Sequence, residues 1–414
     1  MNSHEPPHPP ARPFPWLNRL LLWLVLPVSL AALCFEADLP ARIERKRHTP
    51  VFTSSSRSSS LLESVTAQTR EQIRQLTPAP KLEFENGSRL ERAARAWRQP
   101  KPKNSWANGC LATGLLVAHE FHPNPINHTA LIAFANQIVH PNGTFIESLH
   151  GIEQAMVGST LLHLSSNAPS ERYLTAARSL TDFLVVTHPK TRTGTLPYST
   201  EQPNILLVDT LGITCPFLAE AGARFKRPEA SNLAAAQLAE FIDRAIDPTT
   251  GLPWHAYEAT GGPAYGILGW TRGAGWYAIG LAETLKHLPP NHPQFQKISA
   301  ALSNLAKAVA PFQLPNGLWR WCLSQPEGDI DTSGSAMLAW AFHRALRLGL
   351  LDPNSKAIAT RAADGLTRFV DQFGRVHQAL GECQAVGHYP RIFGRYPWGQ
   401  GAATAALAIS ISTP

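Results

Sequence analysis

Charge is scarce in this chain: 16% of its 414 residues are Asp, Glu, Lys or Arg, against 44% that are hydrophobic. That balance excludes an unfolded polyelectrolyte and leaves ample apolar material for one large core. Cysteine is sparse too. Cys34, Cys110, Cys215, Cys322 and Cys383 are scattered, odd in number and without a C-x-x-C pair. A disulfide framework and a structural zinc site are therefore not expected, and the thiols read as free and buried. No cysteine lies near a histidine at ligand spacing, so no metal site is expected. Nucleic-acid signatures are also missing, with no recognition-helix pattern, zinc finger or RNA-binding motif. The formal charge of +7 does not stand in for them, because part of it lies in Arg42–Arg57, ahead of the folded domain. Nucleic acid is not expected as a partner.

What is plentiful points elsewhere. The 35 prolines and 28 glycines exceed what an uninterrupted bundle needs and imply many turns and structured loops. The 11 tryptophans serve packing, and planar rings are also a usual platform for sugar faces. Residues 1–13, rich in Pro and His, read as disordered, and Leu20–Phe35 then runs without a charge. Within a hydrophobic segment of about 16–35, this run suits a signal-anchor or a cleaved signal peptide, so a membrane partner and a membrane-anchored or exported location are expected. The basic residues Arg42, Arg45, Lys46 and Arg47 would keep the following domain cytoplasmic, whereas a signal peptide would export it. Thr49–Ser60 reads as a tether, which gives residues 1–60 as terminus, segment and linker and 61–414 as the globular domain.

From residue 61 the apolar spacing is helical almost throughout. Stretches near 61–75, 88–98, 105–120, 125–139, 150–166, 169–187, 205–224, 228–245, 269–288, 293–312, 331–350, 353–372 and 399–411 carry it. Second members of pairs tend to begin at a proline (Pro125, Pro169, Pro228, Pro293, Pro353), which suits a first helical turn. Six helix-turn-helix repeats follow, the last completed by a helix before residue 105. Pairing the two ends closes a ring and removes the need for caps. The expected fold is all-α, an (α/α)6 toroid, with an open solenoid as the alternative.

In such a ring the inner helices run the same way, so the long loops before them gather at one mouth. Those loops hold Trp106, Asn108, His150, Glu153, Asp209, Trp270, Arg272, Trp276, Asp331, Thr332, Ser333, Arg395, Trp398 and Gln400. Asp209 lies in the apolar string NILLVDTLGITCPFLAEAG. Either it is a helix cap, or its apolar surroundings favour the protonated carboxyl that a general acid needs. In GWTRGAGWYAIGLAETL, Arg272 stands between Trp270 and Trp276 beside two glycines. It is either a structural partner or a bidentate fork for a substrate carboxylate, with an indole stacked on the sugar. His255 lies just upstream as a hydrogen-bonding candidate. Glu153, with His150 beside it, is the candidate second carboxylate of a glycosidic pair. Asp331 reads most economically as a helix cap.

These strings, VDTLGITCPFLAEAG, GWTRGAGWYAIGLAETLKHLP, FQLPNGLWRW and DTSGSAM, resemble in that order the unsaturated glucuronyl and rhamnogalacturonyl hydrolases of glycoside hydrolase families 88 and 105, over roughly residues 105–411. The resemblance implies an (α/α)6 barrel acting on the unsaturated uronic acid at an oligosaccharide's non-reducing end. It implies hydration of the C4–C5 double bond, with Asp209 as general acid and base and no metal or organic cofactor. His255, Trp270, Arg272 and Trp276 would line the sugar subsite. Beside what the resemblance implies, His150, Tyr198 and Trp398 are further expected substrate contacts. Two departures stand out. Glu153 occupies a place where the family usually has Asp. Tyr198 is the only aromatic left in TGTLPYSTEQPNILL, where the family often has His and Trp. An ordinary inverting glycosidase using Asp209 and Glu153 and a non-catalytic sugar-binding toroid are the competing expectations.

Overall fold

The computed structural model describes residues 57–75, 105–167 and 171–412. The hydrophobic segment 16–35, most of the tether and the stretch 88–98 lie outside the described residues. Among the described residues, no helix is long and apolar enough to cross a membrane.

Twelve helices carry the described fold: α1 (Ser59–Gln75), α2 (Trp106–Phe121), α3 (Pro125–Ala135), α4 (Gly158–Asn167), α5 (Glu171–Asp182), α6 (Val208–Phe225), α7 (Pro228–Ala245), α8 (Thr271–Leu285), α9 (Phe295–Val309), α10 (Thr332–Arg347), α11 (Lys356–Thr367) and α12 (Pro397–Ile411). Even-numbered helices form the inner ring, each packed on the next, and α12 closes it by packing on α2. Odd-numbered helices form the outer layer. The helix before residue 105 that completes the sixth pair is α1, which packs on α2, α3 and α12.

The inner and outer helices differ for a physical reason. An inner helix is covered on every side, and α8 is buried at every position. An outer helix buries one stripe: α9 buries Ile298, Ala301, Leu302, Leu305, Ala306 and Val309, the spacing of one helical face. Each large side chain in such a stripe contributes about 1.5–3 kcal/mol. Ring closure depends on small residues. A Cβ on Gly114 of α2 would stand 2.2 Å from the Gly401 carbonyl oxygen of α12, so only glycine permits that approach. Buried Gln400 then fastens α1, donating to the Val65 carbonyl (3.2 Å), the Thr69 hydroxyl (3.3 Å) and the Gly374 carbonyl (3.0 Å). Expected at the mouth, Gln400 belongs instead to the closure.

Proline opens α3 and α7 as expected, but α9 begins two residues after Pro293, and Pro353 starts a short 3-10 turn ahead of α11. The stretch 205–224 is not all helix. Ile205–Leu207 form strand β1, which pairs antiparallel with β2 (Trp254–Glu258), and β2 pairs with β3 (Tyr265–Leu268). An apolar triplet reads equally as helix or strand by spacing, and here cross-strand partners satisfy its backbone. A second small sheet joins β4 (Ala379–Leu380) to β5 (Phe393–Gly394).

Candidate active site

Among the described residues, the long outer-to-inner connections open at one mouth, and the register of β1 on β2 builds a site there. Leu207 pairs with Ala256, which sets His255 of β2 beside the start of α6. Asp209 is in the first turn of α6, but the cap position belongs to Leu207, so Asp209 is not the cap. Its side chain keeps 17% of its exposure, with Oδ2 3.3 Å from His255 Nε2. That oxygen accepts no hydrogen bond within the protein. The setting is a cavity wall with an imidazole beside it, and not the wholly apolar enclosure that the flanking sequence suggested.

The cavity has a volume of about 280 Å³ and is walled by Tyr198, Gln202, Asp209, His255, Tyr265 and Gln384, among others. A narrower recess continues inward past Tyr198, Asp209 and Cys383 to Trp106, Arg272, Trp276 and Glu382. His255 is buried, and its Nδ1 is hydrogen-bonded to the Tyr389 hydroxyl. That hydroxyl accepts the Ile267 amide (3.2 Å), which leaves its own proton for Nδ1 and the imidazole proton on Nε2, facing Asp209. Burial pushes the Tyr389 phenol well above its ordinary range, so it stays protonated. Trp270 packs against both rings, with centroids 4.9 Å from His255 and 5.6 Å from Tyr389.

Several expected contacts take other roles. Arg272 is buried and donates to the carbonyls of Leu380 (2.7 Å) and Gly381 (2.9 Å). Its guanidinium lies 4.8 Å from the Trp270 ring and 5.4 Å from that of Trp398. The fork therefore grips the backbone before Glu382 and Cys383. Asp331 caps α10 through the amides of Ser333 and Gly334 and also accepts the Leu380 amide at 3.0 Å, so it steadies the same loop. Trp398 is fully buried, stacked between Trp106 (4.7 Å) and Tyr396 (4.7 Å), and supports the wall from behind. Trp270 likewise packs beneath the site, whereas Trp276 lines its floor.

Glu153 is not among the cavity-lining residues. It accepts a hydrogen bond from the Tyr198 hydroxyl at 2.8 Å and so holds a ring that lines both chambers. The carboxylate that shares the inner recess with Asp209 is Glu382, which accepts from Trp106 Nε1 at 3.2 Å. His150 is exposed, with Nδ1 on the Ser148 carbonyl at 3.0 Å, away from the cavity wall. Tyr389, Glu382, Cys383, Gln384 and Tyr265 escaped sequence reasoning. They lie in irregular loops or on a short strand, where spacing carries no periodic signal.

The comparisons with known proteins agree with this architecture. The family model for Glycosyl Hydrolase Family 88 matches residues 79–411. An unsaturated rhamnogalacturonyl hydrolase of Bacillus subtilis is 25% identical over 321 residues, covering 74% of this chain and 90% of that protein. Among solved structures, a possible family 105 member from Klebsiella pneumoniae superposes with a TM-score of 0.74 at 18% identity, covering 87% of this chain and 96% of the other. The unsaturated glucuronyl hydrolase of Bacillus sp. GL1, described as responsible for glycosaminoglycan degradation, gives 0.60 at 14% identity, covering 84% and 95%. At such identities the two structures speak for the fold alone.

Proposed function

This chain belongs to glycosyl hydrolase family 88, and we propose that it removes an unsaturated uronyl residue from oligosaccharides by hydrating the C4–C5 double bond, with Asp209 as general acid and base. The observation that carries this reading is the Asp209 Oδ2 atom. It is a buried atom of a residue that lines a sugar-sized cavity, accepts no hydrogen bond within the protein, and has the Nε2 of an oriented imidazole beside it. Protonated Asp209 gives its proton to C4. Water adds at C5 and returns a proton to the carboxylate, so the group ends as it began. The hemiketal formed at C5 then collapses and releases the rest of the sugar. Between the two transfers, His255 Nε2–H stabilises the Asp209 carboxylate, and Tyr389 holds the tautomer that makes this available.

The substrate's own carboxylate is not assigned to Arg272, whose fork is engaged with Leu380 and Gly381. Ser199, Gln202, Tyr265 and Gln384 supply neutral donors around the cavity instead. The activity of the Bacillus subtilis relative, an unsaturated rhamnogalacturonyl hydrolase, supports the unsaturated-uronyl class. Direct inversion is the second reading. It is favoured by Glu382 in the recess with Asp209, which replaces Glu153 as the partner carboxylate. One assay separates the two. Hydration removes the ultraviolet absorbance of the conjugated uronyl double bond in lyase-generated oligosaccharides. Cleavage of saturated oligosaccharides without any loss of that absorbance would favour inversion and sink the hydration reading.

A further inference from the structure

The second candidate site lies at the other mouth of the ring. Because the inner helices run the same way, the mouth opposite Asp209 gathers their C-terminal ends and the starts of the outer helices. His119 lies in the last turn of α2, His128 in the first half of α3, and His163 in the second half of α4. One ring nitrogen from each lies within 4.8 Å of the other two, and all three side chains are partly buried. Their ring centroids are 5.4 to 5.8 Å apart. We propose that His119, His128 and His163 bind a divalent first-row transition-metal ion of the zinc type, which clamps α2, α3 and α4 together.

The geometry suits such an ion after a small closure. Tetrahedral zinc with bonds of about 2.0–2.1 Å places its nitrogen ligands about 3.4 Å apart, so the rings must close by at most about 1.4 Å. Imidazole is the ligand shared by zinc, copper and nickel sites, and three of them leave a fourth position open. His163 also lines the cavity at this mouth, from which water can reach that position. Ligand orientation is provided for as well. Both main-chain groups of Asn124 stand at His119 Nδ1, the carbonyl at 3.1 Å and the amide at 3.2 Å, and fix the orientation of that ring. The charges nearby are already matched, with Lys286 3.1 Å from Glu120. The expectation of no metal came from Cys–His spacing along the chain, which cannot register three histidines brought in from three helices.

The test uses the full chain, stripped with a chelator and titrated with Zn²⁺ against a chromophoric competitor, then with Co²⁺. His128→Phe keeps an aromatic ring on an outer helix, and His163→Gln is the second variant. Apo melting temperatures establish that both are folded. His4, His8 and His48 outside the described fold contribute background binding, so the readout is the difference between wild type and variants. Wild type should bind one more Zn²⁺ per chain than either variant, with affinity at that site on the order of 100-fold higher, since even outer-shell partners are worth 10–100-fold. Co²⁺ should give the intense visible absorption of a tetrahedral site in wild type only, and Zn²⁺ should raise the melting temperature of wild type only. If wild type takes up no Zn²⁺, or if both variants match it in stoichiometry and affinity, the triad is three packed rings and the proposal is overturned.

Discussion

At the mouth where the inner helices end, Arg344 grips Glu120 through both terminal nitrogens (2.8 and 2.7 Å) and Glu283 through Nε (2.8 Å). Trp340 Nε1 donates to Glu283 at 2.7 Å, and Lys286 adds a second cation to Glu120. At the mouth where they begin, Asp209 has one oxygen without a hydrogen bond and a histidine as its neighbour. Ile213 and Trp276 line the chambers on both sides and form the floor between them. A carboxylate held by a guanidinium and an ammonium, as Glu120 is, stays in one protonation state and serves the scaffold. Burial pushes Glu120 up, yet Arg344 and Lys286 outweigh it and hold the group down at about 2. A carboxylate with spare hydrogen-bonding capacity can change protonation state during a reaction. The loops explain the asymmetry: short turns such as 122–124 and 226–227 close the first mouth, whereas 183–207, 246–270 and 368–396 fold over the second.

The sharpest way to break this comparison is to give both mouths the same kind of lesion. Asp209→Asn should leave the melting temperature near wild type while turnover falls by about 10²–10⁴-fold. Turnover close to wild type would remove Asp209 from the chemistry and bring Glu382 forward. Arg344→Met should do the reverse. It leaves Glu120 to Lys286 and Glu283 to Trp340 alone, and loss of the guanidinium from buried Glu283 should cost up to about 3–5 kcal/mol, read by denaturant unfolding, with the turnover of the folded fraction unchanged.

Titration sharpens the contrast between scaffold and site. His343 on inner helix α10 is buried, and burial lowers its pKa from 6.5 to about 4. Its folded pKa is depressed, so the stability it contributes is full above pH 6.5 and is lost as pH falls towards 4. The loss should be on the order of 3 kcal/mol. His343→Leu should flatten that limb of the stability curve, and an unchanged limb would assign the acid sensitivity to other groups. The smallest effect is expected from Tyr389→Phe. It leaves the ring in place but deprives His255 Nδ1 of a partner, at about 1–3 kcal/mol. Its distinctive readout is a displaced pH–rate profile, because the histidine tautomer facing Asp209 is no longer held. A fall in stability with an unmoved profile would make Tyr389 structural only.

Much of the ring was legible in the chain. Apolar spacing marked the twelve helices to within a few residues in most cases, because a buried stripe repeats along any outer helix and an inner helix is apolar all round. That a helix before residue 105 completes the ring with α12 followed from counting, since the last inner helix has no partner after it, and packing then picked α1 from the two candidate stretches 61–75 and 88–98. The topology also made Asp209, His255, Arg272 and Trp276 a group, because loops before inner helices must share a mouth.

What the chain alone determined, then, was periodic or topological: the helices, their pairing, and the mouth at which the site lies. Tertiary structure decided every pairwise role. Ile205–Leu207 became a strand only because β2 lay alongside, and that pairing delivered His255 to Asp209. Arg272 took backbone carbonyls because Asp331 and the ring placed the 380–381 loop within its reach. Glu382 entered the recess while Glu153 went to Tyr198, and His119, His128 and His163 met across three helices. The physical reason is range. Spacing along a chain reports which face of a helix is buried, whereas a hydrogen bond or a ligand set forms between atoms whose separation in sequence is arbitrary and whose distance in space is set by the packing of the whole ring.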